Sequence, residues 1–174
     1  MAVFTVNAAQ VFPDIEGHQY RESIEFLSNR GVVQGYPNGT FGPDRPINRA
    51  EIMKIIVEAS TSGDIGNETN CFPDVHSEWF AKYICYAKDH NIVQGYPDGT
   101  FKPGQYVTIA ESLKMGLESF SEAIDHVGGD AWYQAYLEFV HNNNIFSKYS
   151  LRPDVSMKRG AMTYLIQQLM LEKE

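Results

Sequence analysis

Long apolar runs are missing from this chain of 174 residues. No stretch approaches the roughly 20 residues that a bilayer-spanning helix requires, which excludes membrane insertion by such a helix. The opening, MAVFTVNAAQVF, lacks the charged start and extended apolar stretch of a secretory leader. Two readings follow: an internal protein, or a mature segment beginning on a new Met. Cysteine is scarce, with Cys71 and Cys85 alone, too few for a zinc site built of cysteine. The five histidines, His18, His76, His90, His126 and His141, show no HExxH-like pairing of metal ligands. No cofactor is expected. Positive charge is also short: 14 Lys and Arg face 22 Asp and Glu, a formal net charge of −8. Nucleic acid is held through basic surfaces, so it is excluded as the main partner. An acidic ligand would need a local cationic site working against the overall field.

What the chain does have is a core's worth of side chains, 43% hydrophobic and 13% aromatic, and an internal repeat. VVQGYPNGTFGP at 32–43 returns as IVQGYPDGTFKP at 92–103, nine of twelve positions identical at an offset of sixty. The match extends without a gap from 12–56 onto 72–116. A third, degenerate copy follows, with DAWYQAYLEFVHNNNIF resembling the first half of the repeat and LRPDVSMKRGAMTYLIQQLM the second. It lacks the GYPDGT turn. The repeats span 12–60, 71–120 and 129–170, joined by polar or Gly-bearing linkers at 61–70 and about 121–129, and together they form one compact unit.

Each copy reads as helix, loop, helix. Trp79, Phe80, Tyr83, Ile84 and Ala87 recur at helical spacing and predict a buried stripe, as do Trp132, Tyr133, Tyr136, Leu137 and Val140. Ala161, Met162, Leu165, Ile166, Leu169 and Met170 give the clearest stripe of a second helix. Pro37-Asn38-Gly39 and Pro97-Asp98-Gly99 suit tight turns, flanked by short extended residues. Asp14 and Asp74, in the two FPD motifs, read as caps or turn formers ahead of the first helices. Asn48-Arg49-Ala50-Glu51 and Thr108-Ile109-Ala110-Glu111 read as capping boxes opening the second helices. Arg49 then falls in a first helical turn, where the helix dipole disfavours a cation. An exposed Arg beside free N–H groups there would make an anion site. The alternative is a plain ion pair with a neighbouring carboxylate.

The FPD motif, the aromatic helix after it, GYPDGTF.P and INRAE, in that order, resemble the S-layer homology domain, usually found as three tandem copies. The resemblance covers 12 to about 170. It implies a mainly all-α fold of three helix–loop–helix repeats in a pseudo-threefold, three-pronged bundle. It also implies an extracellular, non-enzymatic anchor that holds an exported bacterial protein to cell-wall polysaccharide. In many members that polymer ends in pyruvylated N-acetylmannosamine, whose carboxylate sits in grooves between repeats. The family's Thr-Arg-Ala-Glu motif falls on Asn48-Arg49-Ala50-Glu51 here. Gly35, Tyr36, Gly95 and Tyr96 are the loop candidates for lining grooves.

In the second repeat the Arg position is Ile109, and in the third Arg159 remains while the capping Glu and the preceding turn are lost. The resulting expectation is a main groove around Arg49, a lesser one with Arg159, and a second-repeat groove that is weak or unused. In an exported protein Cys71 and Cys85 could clip a loop to a helix; the alternative is a reduced, buried Cys85. The ligand could equally be peptidoglycan, and the native chain could carry cargo. Two other classes stand beside the anchor. One is a protein–protein or self-assembly module of a surface layer. The other is a glycoside hydrolase with paired carboxylates, which the repeated capping roles of the acids disfavour.

Overall fold

The computed structural model describes residues 12–121, 124, 131–147 and 151–173. The N-terminal stretch, most of the second linker, His126 and the first residues of the third repeat lie outside them. Among the described residues a short 3-10 turn (Pro13–Ile15) is followed by six α-helices: α1 (Arg21–Asn29), α2 (Arg49–Ser60), α3 (Ala81–Asp89), α4 (Ile109–Ser119), α5 (Gln134–Asn142) and α6 (Arg159–Leu171). Among the described residues extended pairing is limited to isolated bridges, so the fold is mainly α, as expected. No helix among them is long and apolar enough to cross a membrane.

Both capping boxes form. The Asn48 side chain accepts from the Glu51 N–H at 2.9 Å while Glu51 accepts from the Asn48 N–H at 3.1 Å. Thr108 and Glu111 repeat the exchange at 3.2 and 2.8 Å. Lys158, ahead of α6, makes no side-chain cap. The first helices end alike as well. Gly31, Asn91 and Asn144 follow the helix C-caps with φ of +76°, +58° and +58°. Gly and Asn tolerate this left-handed residue, which turns the chain out of the helix.

The packing does not follow the repeats. α2, α4 and α6 pack on one another at the centre, while α3 packs on α2, α5 on α4, and α1 on α6. Each prong therefore joins the second helix of one repeat to the first helix of the next, and the N- and C-terminal repeats close the ring. Backbone hydrogen bonds trace the same cycle. Ile47 N–H donates to Met157 O, Met157 N–H to Val107 O, and Val107 N–H back to Ile47 O, at 3.0, 2.8 and 3.2 Å. This closed triangle is the pseudo-threefold centre.

Four aromatic rings anchor the loops, with Phe12 on Phe41 and Phe72 on Phe101, both at 5.4 Å between centroids. Of the two roles open to Asp14 and Asp74, turn former holds and helix cap does not. The Asp14 carboxylate accepts from the N–H groups of Phe41 and Gly42 at 2.9 and 2.7 Å, and Asp74 from Phe101 and Lys102 at 2.8 and 2.7 Å. Each pins the far side of its own repeat's turn. Burial pushes the Asp14 carboxyl up, but the two backbone donors outweigh it and hold the group below the usual carboxylate range. Within the turns, Tyr36 N–H donates to Thr40 O and Tyr96 N–H to Thr100 O, at 2.7 and 2.8 Å. The expected extended flanks are thus hairpin-like turns without strands.

One expectation fails. Tyr83, Ile84, Ala87, Tyr136 and Val140 are buried, but Trp79 and Trp132 are 58% and 55% exposed. They stand just before the helices that carry the stripe, where the chain has not yet turned onto the core.

Candidate functional site: grooves between repeats

The ring hands each second helix to the next repeat's loop. The first two N–H groups of α2, from Arg49 and Ala50, donate to Gln105 O and Pro103 O, both at 2.9 Å. Those of α4 donate to Val155 and Pro153, and those of α6 to Arg45 and Pro43. The helix starts are therefore not free anion-binding N–H clusters, and the exposed Arg expected there is instead buried. Arg49 and Arg159 are 7% and 6% exposed. Donors at a helix N-terminus that have no intrahelical partner must find one, and here the neighbouring repeat supplies it.

Arg49 accordingly meets the second repeat's loop. Its Nε donates to Phe101 O at 2.8 Å, and its guanidinium lies 4.7 Å from the Tyr96 ring and 4.5 Å from Phe101. Among the described residues its two terminal nitrogens have neither a hydrogen bond nor an ion pair. They belong to a side chain that lines a groove of about 650 Å³ together with Gly95, Tyr96, Glu111, Lys114 and Trp132. Burial raises the Tyr96 hydroxyl above its usual range against the lowering pull of Arg49, so it stays a neutral donor. It reaches Glu111 at 3.4 Å and accepts from Gln105 at 2.9 Å.

Arg159 meets the first repeat's loop in the same way, with Nε on Phe41 O at 3.1 Å and the Tyr36 ring 4.8 Å away. Here the guanidinium is taken up. One terminal nitrogen donates to Gln34 O at 3.2 Å, and the other faces Glu51 at 3.5 Å. Tyr36 also donates to Glu51, at 3.2 Å. Burial holds the Lys54 ammonium below its usual range, with Glu58 opposing the shift and Arg159 adding to it.

The sequence therefore paired the right residues with the wrong neighbours. Asn48 caps α2, and Glu51 serves Arg159 and Tyr36 rather than Arg49. The turn lost from the third repeat does not weaken Arg159, which uses the intact first turn. Nor is the second repeat idle, since its Gly95 and Tyr96 line the Arg49 groove. The groove that is missing its parts is the third repeat's own. Ile109 stands where the Arg would be, and Ala161, Tyr164 and Gln168 replace the Glu, Lys and Glu of the other two copies. Tyr164 packs against the core, its ring tilted on Tyr20 and Phe146 at 5.7 and 5.1 Å.

Gly95 has φ +78°, and a Cβ there would lie 2.7 Å from Phe72 Cε1 and 2.9 Å from Thr100 O. Gly35 is as tight, 2.3 Å from Phe12 Cε1. Gly95→Ala is expected to lower stability by about 1–3 kcal/mol, through left-handed strain and overpacking. Urea unfolding checks this; an unchanged midpoint would show that the loop yields freely.

A second cavity, about 610 Å³, lies under the first linker. Asp64, Glu68 and Asp89 line it and no Lys or Arg does, which is the wrong sign for an anion. Cys71 and Cys85 are joined in a disulfide, with Cα atoms 5.4 Å apart, which settles the alternative the sequence left open.

Two loop-and-helix copies with the same FPD staple and the same turn, closed into a ring by a third whose Arg159 meets the first turn as Arg49 meets the second, form a specific pattern. The S-layer homology domain model matches residues 11–53 and 72–111, the first two repeats. The chain belongs to the S-layer homology family. It is 35% identical over 150 residues to the Middle cell wall protein of Brevibacillus brevis, covering 84% of this chain and 13% of that protein. It is 38% identical over 98 residues to the Surface layer protein of Brevibacillus choshinensis, 54% of this chain and 9% of that one. It is also 31% identical over 114 residues to the Cellulosome-anchoring protein of Acetivibrio thermocellus, 63% of this chain and 26% of that one. The chain thus spans at most about a quarter of the length of these family relatives. The third repeat, outside the matched residues, is carried by the structure: α5 and α6 take the places of α3 and α4 in the ring.

Proposed function

We propose that this chain is a non-catalytic anchoring module that binds an acidic cell-wall polysaccharide in the groove between the first and second repeats. On this reading it holds an exported bacterial protein to the cell surface. The observation that carries it is Arg49: a buried guanidinium with two unpartnered terminal nitrogens lining an open groove. A planar fork of that kind suits a carboxylate, which it can engage through two parallel, charge-assisted hydrogen bonds. Lys114 adds a second positive charge, and Tyr96 and the Gly95 backbone supply neutral contacts for a sugar. Pyruvylated N-acetylmannosamine is the terminal residue whose chemistry fits best, being a sugar that carries a carboxylate. The names of the cell-wall, surface-layer and cellulosome-anchoring relatives agree with surface attachment. So does the disulfide, which persists in oxidising surroundings.

Calorimetric titration with a pyruvylated N-acetylmannosamine-terminated glycan and its de-pyruvylated twin tests the reading. The expected outcome is binding of the first alone, dominated by one site per chain, with neither glycan turned over. Equal binding of both would remove the carboxylate from recognition. Binding of neither, with peptidoglycan retained, would move the ligand to the wall's other polymer.

A further inference from the structure

The third repeat has lost its turn and its own groove, yet it contributes a side chain to the groove of the first two. Trp132, immediately ahead of α5, lines the Arg49 groove although Arg49 and Tyr96 come from the other repeats. It is 55% exposed, one of two tryptophans in the chain. Its ring is held edge-on by Tyr133 and Tyr136, with centroids 5.6 and 6.4 Å away. Tyr136 is itself fixed by donating to Glu118 at 2.6 Å. The Lys114 ammonium sits 5.9 Å from the Trp132 ring. This ring faces a groove that holds Arg49 and Lys114 beside Glu111 and Glu118, and an aromatic ring braced at its edges presents a ready-made apolar surface to a ligand there.

We infer that Trp132 is a stacking platform for a second, neutral glycosyl residue, the one that follows the acidic terminal sugar in the same polymer; this rests on the anion reading of Arg49. The C–H face of a pyranose ring is apolar and slightly positive at its hydrogens, and it matches the electron-rich face of an indole. Lys114, which lines the same groove with its ammonium 5.9 Å from the Trp132 ring, donates to ring hydroxyls or to the carboxylate. The polymer then runs from Arg49, where its terminus is held, out past Trp132. The degenerate repeat is retained in the site because it supplies this wall.

The test compares two probes: the methyl glycoside of pyruvylated N-acetylmannosamine, and a wall-polymer oligosaccharide ending in the same residue. Wild type is expected to bind the oligosaccharide about tenfold more tightly than the monosaccharide, the magnitude of one well-covered aromatic contact. Trp132→Ala removes that increment, so that the two probes bind the variant alike, while Trp132→Phe retains part of it. In a Trp79→Phe background, Trp132 is the sole indole, and its emission shifts with the oligosaccharide but not with the monosaccharide. An oligosaccharide affinity that still depends on Arg49 but is unmoved by Trp132→Ala, with silent emission, overturns the platform and leaves the anion site standing. Failure of both probes to bind wild type overturns the anion site and the platform with it.

Discussion

Arg49→Ala is expected to lower affinity for the pyruvylated glycan by at least about a hundredfold, and Arg49→Lys by at least about tenfold. Two charge-assisted hydrogen bonds, each worth roughly 1.5–3 kcal/mol when buried, would be lost in the first case. Lysine keeps the charge but not the fork, so one contact and the bidentate geometry go. Arg49 is also structural: Nε satisfies Phe101 O and the guanidinium is sandwiched between Tyr96 and Phe101. Thermal unfolding of each variant must therefore accompany the titration. Arg159→Ala is the control, because it removes the same Nε and ring contacts from the first turn, together with the Gln34 O and Glu51 contacts that Arg49 lacks. It should destabilise at least as much while changing glycan affinity less than about threefold, since Glu51 already occupies that guanidinium. Equal loss of binding in both variants would mean that the effect is structural. Glu51→Gln releases Arg159 from its partner and, if the grooves share one chemistry, should raise the measured stoichiometry toward two.

Much of this architecture could be read from residues alone. The capping boxes fixed where α2 and α4 begin because their hydrogen bonds are local, three residues apart. The buried stripe of α6 appeared because a helix repeats its inward face every three or four positions. What escaped were relations between repeats. The sequence places Arg49 beside Asn48 and Glu51, whereas the structure places it on Tyr96 and Phe101, some fifty residues on. No local pattern reveals that a helix start will donate to the following repeat rather than to water. Asp14 fits helix cap and turn former alike in sequence because both use the same residue types; its partners are 27 and 28 positions away. Trp132 was assigned to the core by its spacing, and its exposure depends on where α5 begins against α4. The signal that could have found it was the mismatch of repeats: a copy that lost its turn and Glu kept its Trp.

The disulfide bears on the same groove from beneath. Cys71 and Cys85, fourteen positions apart, tie the approach to α3 to its middle. Phe72 follows Cys71 directly, packs on Phe101, and occupies the space a Cβ on Gly95 would need. Phe101 in turn carries Arg49. Lys88 of α3 donates to Cys71 O and lies 4.4 Å over the Phe72 ring, so the loop is held at three points. Cys71→Ser is expected to destabilise by about 3 kcal/mol, the loop-closure entropy of a ring of this size. That corresponds to a melting temperature roughly 6–12 °C lower for a chain of this length. Cys71 is the position to change, because it is half-buried, whereas Cys85 is buried within α3 and its loss would add a cavity. Reductant should bring wild type down to the variant's melting temperature and leave the variant unmoved. Well below either melting temperature the glycan affinity should fall less than tenfold, because the remaining contacts of Phe72 and Lys88 still place the loop. A variant that melts with wild type would show that those contacts, and not the covalent link, hold the loop under Arg49. A variant that keeps its melting temperature but loses binding would assign the disulfide to the groove's shape instead.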